Sequence, residues 1–145
     1  MARLRIGAVA LVRPYECFDW SDLLQFPKRG EDRILPGLPG REVQPRVIDA
    51  VRAVLHVRLY GNLGPDGQPI AGGEPVWHDN LYVHLAVLHG LASTAGTLPL
   101  QLSLGTTTAT ARCIVEGIAT PTFDAAVRAD VALDVTLPDG PLVLG

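Results

Sequence analysis

The chain has 145 residues, of which 48% are apolar and 19% are charged. That length and composition suit one folded domain over residues 1–145, large enough to bury its own core without a disulfide or a metal ion. They argue against a disordered chain. The formal net charge of −3 gives the protein no bulk electrostatic reason to bind DNA, RNA or an anionic membrane.

The charges are unevenly spread along the chain. Residues 1–60 hold ten basic and seven acidic side chains, a net charge of +3, whereas residues 61–145 hold two and eight, a net charge of −6. Such an asymmetry is either an accident of a solvated surface or the mark of two oppositely charged faces, as in a subunit that stacks head to tail.

The cysteines and the N-terminus bear on the cellular compartment. Cys17 and Cys113 stand 96 residues apart and form no CxxC or CxxH pair, which excludes a zinc ribbon and a thioredoxin motif. We expect two free thiols, and a disulfide between these two cysteines is the alternative. The first twelve residues lack the small-residue cleavage site of a signal peptide, and no apolar run reaches the ~18 residues of a membrane helix. We therefore expect the protein to be made and folded in the cytoplasm.

The N-terminal third of the chain combines one predicted strand with one long loop. Residues 3–12 are largely apolar and in part β-branched, and this pattern predicts the first strand. Residues 13–46 contain five prolines, which excludes a regular helix or a central strand and predicts a loop. A loop of this length in a compact domain is commonly ordered by a partner, and its aromatic and basic side chains are candidates for a contact between subunits. These candidates are Tyr15, Phe18, Trp20, Phe26, Arg29 and Arg33.

The middle of the chain predicts a half-buried strand, a turn and a helix. Residues 47–60 alternate with a period of two, which is typical of a strand with one face in the core. The core face carries Val51, Ala53, Leu55, Val57 and Leu59. Residues 61–73 are rich in glycine and proline and predict a turn. Asp79 is a candidate N-cap for a helix over residues 80–93, whose apolar side chains recur at helical spacing.

Three further strands are predicted in the C-terminal part. Leucine alternates with other residues over 98–104, a hairpin turn is predicted at 105–107, and residues 108–118 return as a strand. Over residues 125–137 every second residue is apolar, which predicts a long amphipathic strand. The fold class that follows is mainly β: an antiparallel β-sandwich or split barrel with one flanking α-helix.

The sequence contains no recognisable catalytic or metal-binding motif. Four histidines invite a metal site, but His84 and His89 are five residues apart, ~140° around a helix, and no HExxH motif occurs. The nucleophile motif GxSxG and the phosphate-binding motifs GxGxxG and GxxxxGK[ST] are missing as well. We therefore predict no enzyme, no metal site and no cofactor.

One segment carries a family resemblance. Residues 29–40 read RGEDRILPGLPG. This stretch, followed by a strand, a helix and closing strands, resembles the N-terminal domain of the distal tail protein of long-tailed, siphovirus-type bacteriophages. There an arginine–glycine–acid start and a P-G-x-x-G end precede the same order of elements. The resemblance covers about residues 3–137.

The resemblance implies a structural role in the virion. Members of that family have a tail-tube-like β-sandwich with one flanking helix, and they form hexameric rings between the tail tube and the baseplate hub. The expected partners are further copies of the chain, the tail tube, the baseplate hub and the tape measure, with DNA in passage through the ring. Distal tail proteins typically carry a further C-terminal domain, whereas this chain ends at Gly145, which puts host-carbohydrate recognition in doubt.

Two alternatives remain open beside the distal tail protein: a major tail tube protein and, from another class, a carbohydrate-binding β-sandwich module. In a ring, the polar face of the last predicted strand would line the channel. Its charged residues carry a net charge of −2, which would repel the phosphates of transiting DNA. The other possibility is that this face meets bulk solvent outside the ring. The residues expected to face the lumen are Asp124, Arg128, Asp130 and Asp134.

Overall fold

The structure is a computed structural model that describes residues 4–25, 28–29, 32–33, 42–43, 47–48, 50–124 and 127–144. Its strands are β1 (Leu4–Ile6), β2 (Val9–Ala10), β3 (Tyr15–Asp19), β4 (Lys28–Arg29), β5 (Asp32–Arg33), β6 (Glu42–Val43), β7 (Val47–Ile48), β8 (Val51–Tyr60), β9 (Leu98–Leu104), β10 (Thr107–Ile118), β11 (Thr122–Asp124), β12 (Arg128–Leu137) and β13 (Val143–Leu144). A 3-10 helix covers Ser21–Leu24, and the helix α1 covers Gly73–Ser93.

The predicted strand over 3–12 is wrong, because this segment is a hairpin. Strands β1 and β2 pair with each other in antiparallel orientation. The turn between them contains Gly7 at a φ of 58°, a left-handed conformation that interrupts an extended strand. Leu4 and Ile6 point into the core, while β1 pairs on its other side with β9.

The predicted loop over 13–46 is also partly wrong. Strand β3 pairs antiparallel with β8, and the 3-10 helix follows it. Both elements fit between Pro14 and Pro27, so no proline falls inside them. Further along, β4 pairs with β7 and β5 pairs with β6, each over two residues. The predicted contact residue Phe26 lies outside the described residues.

Strand β8 confirms the predicted alternation, although it begins at Val51 and not at residue 47. Its five core-facing side chains are buried, and the intervening residues are exposed or half-buried. Strands β9 and β10 confirm the predicted hairpin, with Gly105 at a φ of 60° in the turn.

The helix begins seven residues earlier than predicted, so Asp79 is not its N-cap. Gly72 precedes the first turn at a φ of 118°, and no side chain caps the helix. Pro75 fits this first turn because the amide groups there have no partner within the helix. Trp77 ties the turn to the preceding loop, since its Nε1 donates to the carbonyl oxygen of Ile70 at 3.1 Å.

The last predicted strand is shorter than residues 125–137. Strand β12 begins at Arg128, and β11 lies before it as a separate strand that pairs with β12 in antiparallel orientation. Asp124 therefore belongs to β11 and lies opposite Arg128, whereas the prediction placed both on one strand.

The described strands form a curled, half-barrel sheet. Apart from the two small pairs β4–β7 and β5–β6, the order is β2-β1-β9-β10-β12-β8-β3, with β11 paired to β12 and β13 to β10. All these pairs are antiparallel. Strand β10 curls the sheet, because its first half pairs with β9 and its second half with β12. A register shift between Val115 and Gly117 marks the later part of this strand.

The inner face of the sheet forms one core, which α1 helps to cover. Buried leucines of the helix and buried residues of β1, β8, β9, β10 and β12 belong to the same apolar cluster. This arrangement confirms the predicted fold class, mainly antiparallel β with one helix. Within the described part of the chain, no helix is both long and apolar enough to cross a membrane.

Candidate functional site

The outward-facing side chains of β3, β8, β11 and β12, with Glu116 of β10, form a surface that we call the polar face. The antiparallel register decides which of them meet. It places Asp130 opposite Arg58, Ala132 opposite His56, and Asp134 opposite Val54. The predicted lumen residues of β12 therefore lie beside the outward side chains of β8, and Asp124 joins the same face from β11.

The centre of the polar face holds a bidentate ion pair. Arg58 donates from Nε to Oδ1 of Asp130 at 2.9 Å and from Nη2 to Oδ2 at 3.4 Å. These hydrogen bonds and the charge of the carboxylate raise the pKa of Arg58 above its usual value. The pair fixes the guanidinium across the two strands, so Asp130 does not present a free charge to solvent.

The edge of the polar face is organised around Tyr60. Its hydroxyl donates to the Glu16 carboxylate at 2.8 Å, and the Arg13 guanidinium lies 5.0 Å from the centre of its ring. Burial of the ring, and then its bond to Glu16, raise the pKa of Tyr60. Arg13 also approaches Glu16 at 3.5 Å, so the three side chains join strands β3 and β8 at this edge.

Phe18 is the exposed aromatic residue of the polar face. A register shift in β3 between Cys17 and Asp19 leaves Phe18 without a partner on β8. Its ring centre lies 6.0 Å from that of His56 and 4.8 Å from the Arg58 guanidinium, with half of the side chain exposed. Asp19 accepts hydrogen bonds from the amide and the hydroxyl of Ser21, which lower the pKa of its carboxyl.

The remaining acids of β11 and β12, Asp124 and Asp134, differ in whether an arginine pairs with them. Arg128 donates to Asp124 across the β11–β12 hairpin. Asp134 is exposed, and among the described residues it has no ion-pair partner. It borders a cleft of about 460 Å³ together with Arg52 and Glu116.

The polar face is net negative. In the described part of the chain, its charged side chains and Arg13 at its edge give a net charge of −2. The acids are Glu16, Asp19, Glu116, Asp124, Asp130 and Asp134; the bases are Arg13, Arg52, Arg58 and Arg128.

The described aromatic residues of the predicted loop contact have different surroundings. Tyr15 is half-buried and packs edge-on against His84, with ring centres 5.3 Å apart, and Trp20 packs against the core. Phe18 lies on the polar face. Arg29 and Arg33 belong to the short strands β4 and β5.

The sequence pattern did not identify the β8 and β3 members of this face as site residues, above all Arg58, Tyr60 and Glu16. The alternation over residues 51–60 placed Arg58 and Tyr60 outward. Nothing local in the sequence indicates, however, that β8 would lie between β3 and β12.

The described residues hold little that suggests catalysis. Burial raises the pKa of Cys17 to about 12 and that of Cys113 to about 11, so both free thiols are protonated at neutral pH. Within the described ranges, no group of three His, Cys, Asp or Glu side chains is placed to hold a metal ion.

No protein-family model matches the sequence, and no curated protein matches it either. A solved structure does match: that of SPP1 Dit (gp 19.1), presented as a paradigm of the hub adsorption apparatus in phages that infect Gram-positive bacteria. The TM-score is 0.66 at 13% sequence identity. The chain shares the fold of the part of SPP1 Dit that it matches.

The match covers 94% of this chain and 49% of SPP1 Dit, so this chain spans about half the length of that protein. The similarity confirms, at the level of fold, the resemblance carried by residues 29–40 and by the order of elements. At this sequence identity SPP1 Dit informs the fold of the chain and assigns no residue a role.

Proposed function

We propose that this chain is a structural protein of a bacteriophage tail, which forms a six-membered ring between the tail tube and the baseplate hub. The observation that carries the proposal is the similarity in fold to SPP1 Dit over 94% of the chain. Its role is to join other tail parts and not to catalyse a reaction. It is made in the host cytoplasm and acts in the virion.

The proposed partners are further copies of the chain, the tail tube, the baseplate hub and the tape measure. DNA passes through the ring without being bound specifically, and the polar face lines the channel. The net charge of −2 on this face supports that orientation, because a repeated negative surface repels phosphates. Asp134 contributes most directly, since its carboxylate is exposed and no described residue forms an ion pair with it.

We also propose that part of the segment 13–46 contacts a neighbouring subunit. Phe18 supports this role because it lies on β3, the edge strand of the sheet, with half of its surface exposed. Phe26, Arg29 and Arg33 remain candidates for the same contact. Tyr15 and Trp20 instead anchor the start of the segment to the core of their own subunit.

The ring is tested by light scattering and negative-stain microscopy of the purified chain. The expected particle has six times the chain mass of 15.5 kDa and a central channel. Gold-labelled antibody against the chain should mark the end of the tail near the baseplate. A monomer at every concentration would contradict the ring, and labelling at the head or along the fibres would contradict the tail-junction role.

A further inference from the structure

The edge of the sheet at β8 is covered in two different ways along its length. Strand β3 ends the sheet and pairs with β8 from Leu59 to His56. Among the described strands, none continues this pairing over the preceding half of β8, from Val51 to Leu55. An unpaired strand edge invites the addition of a strand from another chain, so a folded protein has to protect this half.

The backbone groups that point toward this edge belong to the even-numbered residues of β8. The amide of Tyr60 donates to the carbonyl oxygen of Pro14, just before β3, at 2.9 Å. Residues two apart along a strand present their amide and carbonyl groups on the same side. The amide and carbonyl groups of Val54 and Arg52 therefore point toward the same edge, in the half that β3 does not reach.

Two side chains from the segment of the 3-10 helix occupy these positions. The Asp22 carboxylate accepts a hydrogen bond from the amide of Val54 at 3.1 Å. The Gln25 side-chain amide donates to the carbonyl oxygen of Arg52 at 3.0 Å. One side-chain acceptor and one side-chain donor thus replace the carbonyl and amide groups that a neighbouring strand would supply.

The segment that carries Asp22 and Gln25 is fixed to its own subunit and ends the sheet. Leu23, between them, is fully buried in the apolar core. The amide of Leu23 donates to the carbonyl oxygen of Trp20 at 3.1 Å. The amide of Gln25 donates to that of Asp22 at 3.3 Å. These two amides are bonded within the turn, so they are not available to a further strand.

We infer that Asp22 and Gln25 form a side-chain cap, which keeps this half of the β8 edge from pairing with the same edge of a second copy. The edge already accepts an antiparallel strand where β3 pairs with β8. Two copies of one edge pair antiparallel about a two-fold axis, because each presents the same groups to the other. The inference goes beyond the proposed function: the contact that the cap blocks is two-fold, whereas a ring requires a head-to-tail contact.

The test compares the unmodified full chain with the double variant Asp22→Ala/Gln25→Ala at equal concentrations. The uncapped chain should form larger particles than the unmodified chain, as measured by light scattering. Hydrogen exchange at the Val54 amide is the second measurement. In dilute solution this amide should exchange ~10-fold faster in the variant, because it loses its acceptor. It should regain protection as the protein is concentrated and the edges pair.

Asp22→Asn is the matched control, because an asparagine side chain keeps an oxygen that accepts a hydrogen bond from the Val54 amide. It should behave as the unmodified chain does. Gln25→Met keeps the length of the side chain but loses the donor, so this milder variant should associate more than the unmodified chain and less than the double variant. A thermal melt of each variant establishes that it is folded.

A folded double variant that forms particles of the unmodified size at every concentration would overturn the inference, because Asp22 and Gln25 would then only stabilise the subunit. Equal association of Asp22→Asn and the double variant would overturn it too, since the loss of the acceptor would not be the cause. Neither result contradicts the proposed ring, whose failure is a monomeric unmodified chain.

Discussion

The inner and outer faces of β12 share one backbone and one register but differ in what they tolerate. On the inner face Val131, Leu133 and Val135 are almost fully buried, and they pair with buried residues of β8. On the outer face Asp130 and Asp134 lie in a layer that water reaches. The comparison teaches that the inner face determines whether the chain folds, while the outer face tolerates charged residues and is the surface that the proposed channel would use.

The largest effect that tests this difference between the faces is expected from a charge placed on the inner face. Val131→Asp should abolish folding, because it removes ~1.5–3 kcal/mol of apolar burial and puts an unpaired carboxylate into a dry layer. These costs are large against the ~5–15 kcal/mol that stabilises a typical domain. The measurement is soluble yield together with a thermal melt followed by circular dichroism.

Ala132→Asp is the matched control, because residue 132 is the next residue along the strand and faces outward opposite His56. This variant should remain soluble and should melt cooperatively. A Val131→Asp protein that is soluble and melts in one cooperative step would show that the assignment of the two faces is wrong.

The contrast between the faces explains how much of the fold the sequence predicts. Alternation is a local pattern, so the sequence predicts β8, β9 and β10 without knowledge of their partner strands. It does not predict the start of α1, because Gly72 offers no capping side chain and Asp79 resembles an N-cap. The sequence does not predict the hairpin at Gly7, because a single residue with a positive φ leaves no periodic pattern. It does not predict the edge strand β3 either, because the pairing of β3 with β8 leaves no such pattern.

A second prediction concerns polar groups on the inner side of the sheet. These groups need hydrogen-bond partners within the protein, whereas polar groups on the outer face can bond to water. The side-chain amide of Asn80 donates to the carbonyl oxygens of Gly61 and Leu63, at 2.9 and 2.6 Å. His84 also lies 2.8 Å from the Leu63 oxygen. Asn80→Leu should lower the free energy of unfolding by about 1–3 kcal/mol, since the Gly61 oxygen loses its side-chain donor.

Denaturant unfolding measures this loss. His89→Leu is the control on the same helix, because His89 is exposed and its side chain has no hydrogen bond among the described contacts. It should change stability by less than ~0.5 kcal/mol. Equal effects of the two substitutions would mean that the Asn80 hydrogen bonds do not fasten the helix to this loop.

A third, smaller effect is expected from the ion pair on the outer face. Arg58→Ala and Asp130→Ala should each change the melting temperature only slightly, because water competes for both partners. A double-mutant cycle should reveal a weak favourable coupling that fades as salt is added. A large coupling that persists at high salt would mean that this part of the face is shielded from water, as it would be in a contact between subunits.

The same ion pair shows why the candidate site was only half predictable. The alternation of apolar and polar residues in the sequence predicts that Asp130, Asp134 and Arg58 all face outward. Only the register of β8 against β12 reveals that Arg58 neutralises Asp130 and leaves Asp134 exposed. Of the predicted lumen residues on β12, Asp134 is therefore the one whose charge is most available to solvent.

The last prediction uses that difference and should leave stability unchanged. In the proposed channel, Asp134→Lys replaces a repulsive charge with one that attracts phosphates, once in every subunit of the ring. Assembly should be normal, and DNA ejection from phage carrying the variant should be ~2–10-fold slower at low salt. The defect should disappear at high salt, where phosphate contacts are screened. Asp79→Lys makes the same change of charge at an exposed position of α1, which packs on the opposite side of the sheet, and should eject normally. If phage carrying Asp134→Lys ejects DNA at the normal rate in low salt, the polar face is an outer surface of the particle, because a cation repeated around the channel wall could not avoid the DNA.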